Sequence, residues 1–271
     1  MRGRPFARIR SVAIDWSGAV KPRGKLALAE ASGGELIRLD VLDTREQALA
    51  AIGEYRGGRD PVVVGIDFSF SLPRWFTKHL RVADAFALWT RVETEGEQWL
   101  RDCAWPFWGR PGVKKPELAV HLRETERQVG ESLGLKPKST FQIGGAGAVG
   151  TGSLRGMPYL TRCREAGFSI WPFERATQHN VVEIYPRALT GAVVKSSLAA
   201  RQDYLKRSQW QLSKTMFRAA VASEDTFDAA ISALVLSAHA DELGRLPRGN
   251  ATERLEGRIW TPNGSVRHGR P

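Results

Sequence analysis

The sequence predicts an α/β domain from three observations: an opening set of short alternating strands, a continuous β-branched run that ends in an acid, and a long amphipathic helix near the C-terminal end. Residues 9–14 (Ile-Arg-Ser-Val-Ala-Ile) form an apolar run that stops at Asp15. Stretches 25–31 and 35–41 alternate apolar and polar residues around the turn signal Ser32-Gly33-Gly34, which completes an antiparallel three-stranded meander. Thr44 and Gln47 have the spacing of a capping box, and Ala48, Leu49, Ala51, Ile52 and Tyr55 give the helix behind them an apolar face, closed by Gly57-Gly58. Pro61 then opens Val62-Val63-Val64-Gly65-Ile66-Asp67, the composition of a strand covered on both faces. The first 67 residues therefore read β-β-β-α-β.

From 69 to about 143 the pattern loosens: Trp75, Trp89, Trp99, Trp105 and Trp108 stand among prolines and charges, with one clear helix near Pro116–Leu133. This reads as a Trp-rich insertion into the domain. A Gly-rich stretch, 144–156, precedes a helix over Leu160–Ala166 and an apolar strand over Phe168–Phe173. A second covered strand is expected at Val181–Tyr185, before Pro186. The last element is a helix from Ser223, its N-cap, to Leu243, with Phe227, Ala230, Ile231, Leu234 and Ala238 on one face. The domain thus spans 11–243, between a basic tail at 1–10 and a basic C-terminal extension at 244–271.

Across 271 residues, 40 Lys and Arg face 29 Asp and Glu, a formal charge of +11 that excludes an acidic solvating protein and favours polyanionic partners. Each end contributes +4, so the body carries only +3, and that body is sorted. Residues 187–218 hold Arg187, Lys195, Arg201, Lys206, Arg207, Lys214 and Arg218 against Asp203 alone, whereas 219–244 hold five acids and no base. We therefore expect Lys195, Arg201, Lys206, Arg207, Lys214 and Arg218 to meet nucleic acid, and the tails to be solubilising ends. Cys103 and Cys163 lack CxxC or His spacing, so neither a disulfide framework nor a zinc site is expected. Two buried thiols, no signal h-region and no apolar stretch of membrane-spanning length read as a soluble cytoplasmic protein with no obligate protein partner.

Three apolar strands end in, or carry near their end, an acid: Asp15, Asp67 and Glu183. Desolvating an unpaired carboxylate costs several kcal/mol, so such placements call for a partner or a ligand. Asp228, a turn into the last helix beside the Phe227 and Ile231 face, is a fourth candidate. Two carboxylates ~4 Å apart repel by about 4 kcal/mol at an effective dielectric near 20, and an all-oxygen site without histidine suits Mg²⁺ or Mn²⁺. Plainer readings stand beside these: Asp225 as a first-turn acid favoured by the helix dipole, Asp15 and Asp67 as turn acids, Glu183 as the partner of a structural Arg.

Five segments together, Ala13–Gly18 (Ala-Ile-Asp-Trp-Ser-Gly), Gly65–Ser69 with Leu72-Pro73, Phe141–Gly144, Val182–Pro186 and Asp225–Ala230, resemble a prokaryotic domain-of-unknown-function family predicted to be RNase H-like nucleases. The similarity runs over roughly 11–243, and Glu256-Gly257-Arg258-Ile259 resembles the family's closing segment. The resemblance implies an RNase H-like mixed five-stranded sheet, with Asp15, Asp67, Glu183 and Asp228 holding Mg²⁺ or Mn²⁺ for hydrolysis of DNA or RNA phosphodiesters. Two other classes stay open: a non-catalytic nucleic-acid-binding module on the same fold, and a nucleotide-utilising enzyme of the actin-like ATPase type, whose first phosphate loop Asp15-Trp16-Ser17-Gly18 loosely resembles. Gly145-Ala146-Gly147-Ala148-Val149-Gly150 satisfies G-x-G-x-x-G, but the segment before it is a poor strand, so it reads as a Gly-rich turn allowing close backbone approach. Trp105 and Trp108 with Lys114 and Lys115 read as aromatic packing before they read as a stacking platform.

Overall fold

The computed structural model describes residues 9–263; most of the expected basic start and the end of the C-terminal extension lie outside the described residues. Six strands make one mixed sheet: β1 (Arg10–Asp15), β2 (Leu26–Ser32), β3 (Glu35–Leu42), β4 (Val62–Ile66), β5 (Ser169–Ile170) and β6 (His179–Glu183), in the order β3-β2-β1-β4-β6-β5. β1, β2 and β3 pair antiparallel, while β4 runs parallel to β1 and β6 parallel to β4. The sheet has one strand more than the five the resemblance implies, and β5 is all that remains of the strand expected at Phe168–Phe173. Pro172 has no N–H to continue that ladder, and the chain turns there.

Eleven helices are assigned among the described residues: α1 (Arg45–Gly53), α2 (Arg74–His79), α3 (Ala85–Asp102), α4 (Glu124–Leu133), α5 (Val149–Glu165), α6 (Pro186–Thr190), α7 (Leu198–Arg207), α8 (Lys214–Ala220), α9 (Glu224–Ala238), α10 (Ala240–Leu243) and α11 (Glu253–Glu256). The Thr44 capping box and the Ser223 N-cap form as expected. α9 stops at Ala238, and the separate turn α10 follows. Strand alternation sorts the core into two layers. Val12, Ile14, Val62, Val64, Ile66 and Val181 face the side that carries Trp89, Leu154 and Leu160 of α3 and α5. Ala13, Ala27, Ala29, Ala31, Val63 and Val182 face α9. Small side chains let α9 lie close to the sheet. At Gly65 a Cβ would sit 2.9 Å from Leu236 Cδ1 and 2.8 Å from Ile184 Cγ2.

The insertion is more ordered than its sequence suggests. α3 is an 18-residue helix capped by Asp84, with Ala85, Leu88, Trp89, Val92, Gly96 and Leu100 buried at helical spacing. Its aromatics pack together as expected: Trp89 is fully buried and donates to Phe70 O at 2.8 Å, and Phe76, Phe107 and Phe141 stack edge to face. Trp108 is buried with Lys115 over its ring, while Trp105 is exposed. The Gly-rich stretch approaches the chain's own backbone: a Cβ on Gly150 would fall on Thr140 O, and one on Gly144 on Gly109 O. The C-terminal extension, through Trp260, belongs to the fold. Glu256, Ile259 and Trp260 are buried, and Trp260 N donates to Glu183 O at 2.8 Å. Cys103 and Cys163 are buried free thiols, and among the described residues no helix is long and apolar enough to cross a membrane.

Candidate functional site

β1 and β4 are adjacent and parallel, with Ile14 paired to Ile66, so Asp15 and Asp67 come out side by side at the carboxyl edge of the sheet. Asp67 N donates to Ile14 O at 3.0 Å, which fixes that register past the last paired residue. Chain order reverses here, since β1 has β2 on one side and β4 on the other, and such a switch point opens a crevice outside the strand ends. The first turns of α9 bring Asp225 and Asp228 to the same place.

Four carboxylates therefore share one environment, and each holds its proton more tightly than an ordinary aspartate. Burial lifts Asp15 well above the usual range, and the charges of Asp67, Asp228 and Asp225 lift it further. Asp67 is pushed up to about 8, by burial first and then by Asp228. Asp228 and Asp225 are also raised, chiefly by burial. Asp225 lies beside Asp15, whose side chain opposes the rise at Asp225. Tyr204, next to Asp228, is pushed up to about 12, and Tyr185, next to Asp67, is raised, in both cases by burial and then by the neighbouring carboxylate.

The charge of Lys25 reaches Asp225, while among the described residues the cation in direct contact with the cluster is Lys195. Its Nζ lies 2.6 Å from each oxygen of Asp228 but is aligned as a hydrogen-bond donor only to Oδ2. Asp228 Oδ1, buried, has no hydrogen-bond donor among the described residues. Beside Asp67 opens a cavity of about 230 Å³ that also touches Glu183, Trp16, Lys138, Tyr185 and the start of α5 at Ala148 and Val149, and Glu183 adds to the upward shift of Asp67.

Glu183 is placed differently from the other expected ligands. It lies two residues beyond Val181 on β6 and shares its side of the sheet, the side away from α9. There the fully buried Arg123 grips both of its oxygens, Nη1 to Oε2 at 2.9 Å and Nη2 to Oε1, and Phe70 N donates to Oε2 at 3.0 Å. Arg123 also binds Glu126 through Nε and Nη2 and donates to Glu256 O at 2.8 Å. Glu256 in turn accepts from Arg74 N at 2.8 Å and Glu124 N at 2.7 Å. Burial raises Glu183, and the guanidinium opposes it. Held by Arg123 and a backbone amide, Glu183 ties the insertion and the C-terminal segment to the sheet, which fits the reading as partner of a structural Arg, while it also lines the cavity beside Asp67.

Of the six basic residues expected to meet nucleic acid, two are spent inside the protein. Lys195 is on Asp228, and the buried Arg201 donates to the carbonyls of Lys195 and Val221. Lys206, Arg207, Lys214 and Arg218 are exposed on α7 and α8. Comparison of the chain with family models, curated proteins and solved structures finds no match.

The donor set suits a hard divalent cation. It is all oxygen, it is crowded with like charge that a cation would relieve, and it contains a buried carboxylate at Asp228 that already draws in a cation, the Lys195 ammonium. As placed, no three His, Cys, Asp or Glu side chains among the described residues close around one ion, and Lys195 stands against Asp228 instead. Asp225 is the member of the site whose sequence signal is easily undervalued. A first-turn acid needs no explanation beyond the helix dipole, yet its three-residue spacing from Asp228 sets both on one side of α9.

Proposed function

We propose that the chain is a metal-dependent nuclease of RNase H-like fold that hydrolyses nucleic-acid phosphodiesters. The observation that carries this reading is the meeting of Asp15, Asp67, Asp225 and Asp228 at a switch point of the sheet, each with its proton affinity raised by burial and most by one another. Stability alone does not favour such a cluster, because burial of uncompensated carboxylates opposes folding. The strand order, with three antiparallel strands followed by parallel ones, supports the RNase H-like assignment.

Asp15, Asp67 and Asp228, with Asp225 beside them, would hold Mg²⁺ or Mn²⁺. Bound there, the metal would supply activation of a water and charge stabilisation at the phosphate. The chain's own part is to fix the carboxylates on rigid strand ends and a helix turn, and to offer a strand the cavity beside Asp67 and the exposed bases of α7 and α8. Lys195 on Asp228 favours a second reading, a nucleic-acid-binding module that keeps the fold without hydrolysis. Both are tested with purified protein on single-stranded DNA, duplex DNA, RNA and hybrid, with and without Mg²⁺ or Mn²⁺. The nuclease reading expects metal-dependent cleavage that Asp15→Asn abolishes, and undiminished cleavage by that variant rejects the site. Salt-sensitive binding without cleavage of any substrate selects the second reading.

A further inference from the structure

We propose that Lys195 is a built-in competitor for the divalent cation, neutralising Asp228 while the metal is absent and freed to grip a substrate phosphate when the metal takes that carboxylate. The inference rests on the carboxylate cluster being a metal site. Nζ stands 2.6 Å from both oxygens of Asp228, directly in front of the carboxylate, so a cation cannot bind that group until the ammonium moves. Both side chains keep only 14% of their surface exposed, so the contact belongs to the site and not to the solvated surface.

The backbone that delivers Lys195 is fastened on both sides. Arg187 Nη1 donates to Val193 O at 2.8 Å, and Ser197 caps α7 by accepting from Ala200 N at 3.3 Å. Arg201, buried, holds the carbonyl of Lys195 itself and ties it to Val221 O at 2.8 and 3.0 Å, just before α9 begins. Only the flexible four-carbon stem is left to move, and its ammonium is a point charge that exchanges partners easily. The balance of charge argues against a purely structural pair. One ammonium is in direct contact with a group of four acids, the more distant Lys25 reaching only Asp225. A pair made for stability alone has no reason to stand among three further acids, whereas a divalent cation would bring twice the charge and several coordination sites to the same place. An ammonium released there lies where phosphate oxygens would approach the metal, so metal and nucleic acid would bind with positive coupling.

The full-length chain, Lys195→Gln and Lys195→Arg are titrated with Mn²⁺ by calorimetry without nucleic acid, each protein first checked by thermal melting. Removing the charge is expected to tighten Mn²⁺ binding by about tenfold, with Lys195→Arg remaining near wild type. Damage to the fold would weaken metal binding, so the direction separates competition from structural support. Equal or weaker binding by Lys195→Gln overturns the proposal, as does Lys195→Arg binding as tightly as Lys195→Gln. Absence of Mn²⁺ binding to every protein instead overturns the metal site itself, and the proposal with it. A second measurement uses the unaltered chain: acylation of Lys195 by an amine reagent, followed by mass spectrometry, should run several-fold faster with Mn²⁺ bound. An unchanged or slower rate overturns the exchange of partners, whatever the folding of the variants.

Discussion

Asp67→Asn should stabilise the metal-free protein at pH 8, because it removes a charge that folding works against. The Asp67 carboxyl is pushed from its ordinary value of 3.8 to about 8 in the folded chain. Between those values the folded state holds a proton that the unfolded chain has lost, so this group's contribution is fully present below about pH 4 and is lost as pH rises through about 8. At about 1.4 kcal/mol per pH unit the full shift sets an upper bound of about 5–6 kcal/mol. Asp67 keeps some exposure to solvent and Lys195 opposes the shift, so about 2–3 kcal/mol is the working figure at pH 8. For a chain of this size that corresponds to a rise of roughly 5–10 °C in Tm. The assay is thermal unfolding followed by circular dichroism in EDTA at pH 5 and pH 8. Wild type should be more stable at pH 5 than at pH 8, the variant should show a shallower pH dependence, and the gap between them should narrow toward pH 5. Excess Mg²⁺ at pH 8 should raise the Tm of wild type more than that of the variant. A variant less stable than wild type at pH 8 in EDTA by more than about 1 kcal/mol would refute the reasoning, since Asp67 would then be supporting the fold.

Two further outcomes separate structural charges from working ones. Glu183→Gln should lose about 3 kcal/mol or more in urea unfolding at pH 7, because Arg123 is left fully buried with a weakened partner set; unchanged stability together with lost Mn²⁺ affinity would return Glu183 to the metal shell. Reversing Lys206, Arg207, Lys214 and Arg218 together to Glu should weaken oligonucleotide binding and flatten its dependence on log salt by about 0.7–0.9 for each phosphate no longer neutralised, read by fluorescence anisotropy at several ionic strengths. An unchanged slope would remove α7 and α8 from the nucleic-acid path.

The parts of this fold that are legible in the sequence are those whose signals are local. A capping box at Thr44 and Gln47, turn glycines at 33 and 34 and a β-branched run at 62–64 each declare an element within a few residues, and each forms where expected. Helix α3 carries a comparable signal, an Asp cap and apolar residues at 85, 88, 89, 92 and 100, but tryptophans and charges on its other faces blur the period. α6, α7 and α8 are short, and their basic residues draw attention to charge at the expense of periodicity; Arg201 looks like any solvated arginine until Val221 O is brought beneath it by folding. The acids at the strand ends are legible as exceptional, because apolar strands rarely carry them. Which of them meet is set by register between strands far apart in the chain, and no local pattern encodes that.

Register also explains why two acids at the same edge of the sheet have opposite consequences. Ile66 is paired with Glu183, so Asp67 lies one residue beyond Glu183 on the neighbouring strand. Side chains alternate along a strand, and that single step separates the two layers. On the side of α3 and α5, folding supplies Glu183 with a backbone amide and a buried guanidinium, which it shares with Glu126. Toward α9, four acids have one flexible ammonium in direct contact, at Asp228, and Lys25 near Asp225. A charge gripped by a rigid guanidinium holds the protein together, whereas the acids toward α9 raise the free energy of the folded chain until something positive arrives. The difference between the two sides of one sheet edge is why the proposed metal site is drawn from the acids facing α9, with Glu183 at the wall of the cavity they share.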